Sequence, residues 1–184
     1  FISNKKFNGR WMPEKILKNK NILILGPGNN LKKNKHKIEK KIIKEKLFVI
    51  SLNTFSIINE KLINLRVICH PLRIMSDNNK LRLIETDLVL PYSSLQKKIR
   101  KNLKIKHKYY DYGILLTDRN QIKIKKNHCI MPYPLAIGYA IALAISGKAK
   151  TLKLGGFDGY NKSSPETDNT EQLLELFVKK KFKK

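Results

Sequence analysis

The stretch Asn21-Ile22-Leu23-Ile24-Leu25-Gly26-Pro27-Gly28-Asn29-Asn30 decides how this chain is read. Four consecutive branched apolar residues leave no polar face. A strand made of them is therefore buried on both sides, as the strands of parallel sheets are. Gly26-Pro27-Gly28 ends the strand, since glycine weakens a ladder and proline cannot donate to one. The residues that follow switch to helical spacing. Leu31, Ile38 and Ile42 form an apolar stripe, and Lys32, Lys33, Lys35, Lys37, Lys40, Lys41, Lys44 and Lys46 surround it. That is a helix over 31–46 with one face in a core and the rest in water.

The alternation continues outward. Residues 47–53, 66–70, 87–91 and 151–155 read as further strands, with 66–70 closed by Pro71. Helical stretches are expected near 57–65, 72–86 and 94–103. Residues 105–130 hold Tyr109, Tyr110 and Tyr112, a strand near Gly113 to Leu116 and a hairpin ending at Ile130. Pro134 to Ser146 is apolar on nearly every face and reads as a helix buried in the middle of the protein, too short to span a membrane. Asp168 to Phe182 reads as an amphipathic helix, with Asp168 as cap and Glu171 three residues on. Together these predict an α/β fold, a Rossmann-like three-layer sandwich with a mostly parallel sheet, forming one domain over 21–184. Residues 1–20 are expected to be a connector from an upstream domain, with a short helix opening at Pro13 and Trp11 anchoring the connector to the body. The start at Phe1 leads to the same expectation of a piece of a longer protein.

Composition narrows the function classes. Of 184 residues, 41% are hydrophobic, which supplies a real core and argues against disorder. Two cysteines exclude a disulfide-stapled secreted scaffold and suit reduced core thiols in a cytoplasmic protein. No apolar run reaches the roughly 20 residues of a membrane span. The net charge of +25 invites a nucleic-acid reading. The excess, however, is 33 Lys against 6 Arg, and arginine is the residue that forks onto phosphates and reads bases. Lysines spread along the whole chain read as a solvated coat, and a basic nucleic-acid-binding domain stands third among the functional readings.

In open parallel sheets, ligands bind beyond the carboxyl ends of the strands. Four loops fall there. In the first, Gly26 and Gly28 would let backbone N–H groups approach an anion, with Asn29 and Asn30 gripping a ribose or phosphate at the helix start. Asn53 ends the second strand with a polar amide, which suits a base or sugar contact or simply a turn. His70 ends the third strand and is the one candidate for proton transfer, with Arg73 close enough to meet an anionic group. In the turn Gly156-Phe157-Asp158-Gly159-Tyr160, Asp158 could hold a sugar hydroxyl or a metal, or simply brace the turn with Tyr160. No metal site is expected, because Cys69-His70 and His128-Cys129 are strand neighbours pointing to opposite faces.

Two resemblances sharpen this. Asn21 to Asn30, the ending Ile50-Ser-Leu-Asn53 and the segment Ile137 to Tyr160 resemble the bacterial sialyltransferases and the motility accessory proteins of flagellin glycosylation. That resemblance implies that Gly26, Gly28, Asn29, Asn30 and Asn53 line a nucleotide-sugar pocket, with glycosyl transfer by direct displacement and His70 as base. Cys69-His-Pro-Leu-Arg73, Pro132-Tyr-Pro-Leu135 and Gly155-Gly-Phe-Asp-Gly-Tyr160 together resemble the C-terminal domain attached to aldolase-like proteins of the hydroxy-oxovalerate aldolase and HMG-CoA lyase type, in bacterial surface-polysaccharide loci. This second resemblance implies an upstream barrel that carries the aldol chemistry and a divalent metal. The present domain would then need no cofactor of its own. The leading expectation is a domain binding a nucleotide-activated sugar or other phosphorylated small molecule in surface-polysaccharide biosynthesis. The alternative is a non-catalytic accessory domain of an aldolase-like enzyme.

Overall fold

A computed structural model describes residues 8–54, 56–157 and 165–179 of the chain. In chain order the elements are α1 (Glu14–Leu17), β1 (Asn21–Leu25), α2 (Asn29–Lys33), α3 (Lys35–Glu45), β2 (Phe48–Leu52), β3 (Leu65–Val67), α4 (Pro71–Ser76), α5 (Asn78–Leu81), β4 (Leu88–Leu90), α6 (Lys97–Asn102), β5 (Tyr109–Asp111), β6 (Gly113–Leu116), β7 (Lys123–Ile124), β8 (His128–Met131), α7 (Ala136–Ser146), β9 (Thr151–Gly155) and α8 (Pro165–Lys179). Single 3-10 turns add Glu60–Leu62 and Tyr92–Ser94.

Six strands form one sheet in the order β5-β4-β3-β2-β1-β9, and every pairing in it is parallel. The architecture is the expected α/β Rossmann-like three-layer sandwich. Alternate residues of each strand serve opposite faces. Ile22, Ile24, Ile50, Leu52, Leu65, Val67 and Val89 join one core cluster with α7. On the other face, Leu23, Leu25 and Val49 pack with Leu31 and Ile42 of α2 and α3, and Ile68, Leu88 and Leu90 pack with Ile74, Leu81 and Ile99 of α4, α5 and α6.

The chain builds β1 to β5 outward in one direction and returns to the far side of β1 for β9. The connections therefore reverse direction between β1 and β9, the position at which open parallel sheets leave a crevice. Thr151 at the start of β9 donates its hydroxyl to Asn21 Oδ1 at 2.9 Å, which fixes the register.

α7 is the helix expected to lie in the middle, and eight of its eleven residues are buried. The sheet covers one side of it. A second sheet, β6-β8-β7, with β6 and β8 parallel and β7 antiparallel, contributes Ile114, Cys129 and Met131 to the same cluster. Tyr112 packs on Tyr139 with ring centroids 5.7 Å apart, and the Tyr139 hydroxyl donates to the Tyr112 carbonyl. At Gly138 an added Cβ would strike the Leu173 side chain, so α8 lies directly against α7.

Several local readings change. The helix expected over 31–46 is two helices, because Asn34 sits between them with φ −109° and its side-chain amide donates to the Asn30 carbonyl at 3.0 Å. An amide that bonds to the backbone in this way competes with helix continuation. Asp77, with φ −93°, stands between α4 and α5 and divides the 72–86 stretch, its carboxylate accepting from the Thr54 hydroxyl. The 57–65 stretch forms only the Glu60–Leu62 turn. Tyr109–Asp111 is an edge strand of the main sheet, unanticipated from sequence, whereas Gly113–Leu116 belongs to the second sheet. Asp168 does not cap α8, which begins at Pro165.

Residues 8–20 are fastened into the body. Leu17 of α1 is fully buried in the α7 cluster. Trp11 stacks on Tyr110 at 4.6 Å, and its N–H donates to the Asp111 carbonyl at 3.0 Å. Asn127 donates its amide to the Gly9 carbonyl at 2.8 Å. No helix among the described residues is long and apolar enough to cross a membrane.

Candidate functional site

At the carboxyl ends of β1, β2, β3 and β9 lies a cavity of about 410 Å³. Each strand end supplies a wall. Pro27 follows β1, Leu52 and Asn53 close β2, His70 and Arg73 follow β3, and Phe157 follows β9. The start of α7 closes the far side with Pro134, Leu135, Ala136 and Ile137, and Thr170 of α8 stands at its rim. Three of the sequence-predicted residues, Asn53, His70 and Arg73, thus meet in one cavity although they come from two loops.

The glycine loop takes a different role from an open anion cradle. The Gly26 N–H donates to the Gly155 carbonyl at 2.9 Å and the Gly28 N–H to the Gly156 carbonyl at 2.7 Å. Both amides are therefore spent on tying the end of β1 to the end of β9. Gly26 is required by closeness, since an added Cβ would lie 2.6 Å from the Gly156 carbonyl oxygen. Gly156 itself has φ +75°, a conformation glycine adopts without cost. Asn29 and Asn30 begin α2 as exposed residues and do not line the cavity. α2 is only five residues long, so little dipole is aligned behind them.

Asn53 stands at φ +59°, the left-handed region in which asparagine is the best-tolerated residue after glycine. Its N–H donates to the Val67 carbonyl at 2.8 Å, which pins the turn to β3. Asn53 thus forms a turn and also lines the cavity. His70 precedes Pro71, the first residue of α4, and its carbonyl accepts from Ile74 N at 2.9 Å. Partial burial, and secondly the charge of Arg73, hold its imidazole below the ordinary histidine pKa of 6.5. Near neutral pH it is an uncharged ring that can accept a proton or a hydrogen bond. Arg73 is exposed and forms no ion pair with a described carboxylate. No Asp or Glu stands among the described residues of the lining.

Asp158 and Tyr160 lie outside the described residues. Cys69 and Cys129 are free, buried thiols, each pushed well above the usual thiol pKa by burial, and neither is a nucleophile. Among the described residues no three His, Cys, Asp or Glu side chains converge as a metal site would need. The apolar walls were not anticipated from sequence. Pro134 and Leu135 lie far along the chain from His70, and only the all-round apolar character of α7, which forces its first turn into the interior, could have pointed to them.

The two depressed histidines set a pH dependence. His128, like His70, is held low by burial, and secondly by Lys125. In the unfolded chain both return toward 6.5, so that state binds more protons and acid favours it. Unfolding free energy should therefore fall as pH drops below about 6.5, having been fully present above it. Urea midpoints at pH 7.5 and 5.5 check this. A slope unchanged by replacing both histidines with asparagine would refute the assignment.

Comparison of the chain with family models, with curated proteins and with solved structures gives no match to any of them, so the reading of the cavity rests on its own geometry and chemistry.

Proposed function

We propose that the chain is a binding domain for a nucleotide-activated sugar or a related phosphorylated small molecule, held in the cavity at the carboxyl ends of β1, β2, β3 and β9. The observation that carries this reading is the charge pattern of the cavity at the reversal point of the sheet. An exposed arginine with no described carboxylate partner stands at the mouth of a largely apolar pocket, beside an uncharged imidazole and an asparagine. Such a mouth suits a phosphate, and apolar walls such as Phe157 and Leu135 suit the flat face of a base. A cavity of about 410 Å³ lies in the range that small ligands occupy.

The reading is of binding before transfer. His70 is the single described side chain in the cavity that can accept a proton, and no carboxylate is there to orient it or to act beside it. This favours a domain that holds the activated sugar over one that completes a displacement alone, and it fits an accessory role beside a separate catalytic unit. Surface-polysaccharide biosynthesis is the setting that the sequence resemblances imply.

Thermal shift against CMP-, UDP- and GDP-sugars tests the proposal. At a hundredfold excess over Kd the true ligand should raise Tm by about 5–10 °C. Arg73→Ala should weaken binding at least tenfold without changing the Tm of the free protein, since Arg73 has no described ion pair to lose. Asn53→Gly keeps the left-handed turn and deletes only the amide, so it separates contact from backbone. If no nucleotide sugar stabilises the chain, and it instead binds DNA with a steep salt dependence, the proposal fails.

A further inference from the structure

The face of the main sheet away from α7 is not continuously apolar. Ser51 of β2 and Arg66 of β3 are register partners and both are buried. They divide the cluster around Leu23, Leu25 and Val49 from the cluster around Ile68, Leu88 and Leu90. A position inside a parallel sheet ordinarily holds valine or isoleucine. A guanidinium there is costly to take from water.

The Arg66 side chain is 1% exposed, yet its partner is not buried with it. Nη1 donates to the Asn53 carbonyl at 3.2 Å, and Nη2 donates to both oxygens of Glu60 at 2.5 Å each. The Glu60 side chain is 61% exposed and rides on a single 3-10 turn, Glu60–Leu62. A cavity of about 540 Å³ opens over this pair, and Lys61, Lys80, Glu85, Thr54 and Thr86 line it. Thr54 donates its hydroxyl to Asp77 at 2.8 Å, and Asp77 also holds Lys80 at 3.5 Å.

We propose that this second cavity binds a small carboxylate-bearing anion, whose carboxylate takes the place of Glu60 on Arg66. Glu60 displays the geometry of the bound group, with two carboxylate oxygens on one buried guanidinium nitrogen. Exchange of one carboxylate for another never leaves the guanidinium unpaired in the buried seam, so the costly intermediate is avoided. An exposed side chain on a one-turn helix gains little from holding its place, since water and salt screen the outer half of the pair. The incoming anion also meets Lys61, whose ammonium forms no described ion pair. This site is independent of the nucleotide-sugar reading. Asn53 lines the first cavity, and Thr54, its neighbour on the same turn, lines the second.

The test is an NMR titration of the full chain with glutarate, which copies the Glu side chain, against inorganic phosphate at fixed ionic strength. Glu60→Gln removes the competing charge at constant size and should tighten the glutarate Kd at least tenfold over wild type, with shifts centred on the amides of Thr54, Lys61 and Thr86. Arg66→Met should abolish binding, and Arg73→Ala, in the other cavity, should leave it unchanged. Should Arg66→Met not fold, Lys61→Ala with Lys80→Ala, both at exposed positions, should weaken binding at least threefold. The proposal is overturned if Glu60→Gln binds glutarate no more tightly than wild type, or if phosphate competes as well as glutarate does.

Discussion

Gly26→Ala is expected to destabilise the fold by about 3 kcal/mol, the upper end of the usual cost of overpacking, and to abolish ligand binding at the first cavity. The added methyl would lie 2.6 Å from the Gly156 carbonyl oxygen and 2.7 Å from the Phe157 ring. The ring can turn aside, but the carbonyl cannot. Two hydrogen bonds, Gly26 N–H to Gly155 and Gly28 N–H to Gly156, hold the β1 and β9 ends at this spacing. Relief therefore requires breaking them or parting the two strands at the place where the cavity opens. Urea unfolding checks the prediction through a lowered midpoint at unchanged m-value. A loss below about 1 kcal/mol would show that the loop yields more easily than its bonding implies.

The second large effect falls at Gly9. An added Cβ there would lie 2.6 Å from the Asn127 carbonyl oxygen and closer still to the Asp111 carbonyl and the Gly113 amide, backbone atoms on three sides. No rotation of a side chain relieves this, so Gly9→Ala should lift residues 8–13 off the body. The stacking of Trp11 on Tyr110, with its buried area, is worth about 2–3 kcal/mol, and all of it would be lost with the connector. Trp11 is the chain's one tryptophan, so its emission should move to the red while the circular dichroism of the sheet and helices persists. Trypsin should then cut at Arg10 much faster than in wild type. An unshifted emission spectrum would mean that the connector docks without needing a glycine.

The parts of this fold that were legible in the sequence are those governed by local pattern. Ile22 to Leu25 announces a strand buried on both faces whatever its neighbours are, and the α7 run announces a helix with no wet side. Asn53, His70 and Arg73 were legible as site candidates because each follows a strand, and strand ends converge in a parallel sheet. What escaped is decided by partners. Tyr109-Tyr110-Asp111 is too short and too polar to read as a strand until β4 lies beside it. Asn34 splits a helix through one side-chain bond that periodicity does not register. Arg66 opened the expected strand 66–70 with nothing local to mark its side chain as interior, and the register placing it beside Ser51 reveals that it is. The glycine amides looked available to a ligand because their acceptors, Gly155 and Gly156, lie some 130 residues away.

That separation governs how the protein is made. β1 is synthesised long before β9, one of its two partners in the sheet. At roughly 5–20 residues per second, the β1 edge waits for about 6–26 seconds before its neighbour exists. Through that interval it offers an apolar, unsatisfied edge to any other nascent chain. Lys153 in β9, ion-paired with Glu45 at 2.6 Å, then becomes the finished sheet's own charged border, a feature that discourages further strand addition. The most vulnerable moment for aggregation thus comes before translation reaches Thr151, and slowing synthesis between α7 and β9 should raise the insoluble fraction more than slowing it anywhere earlier.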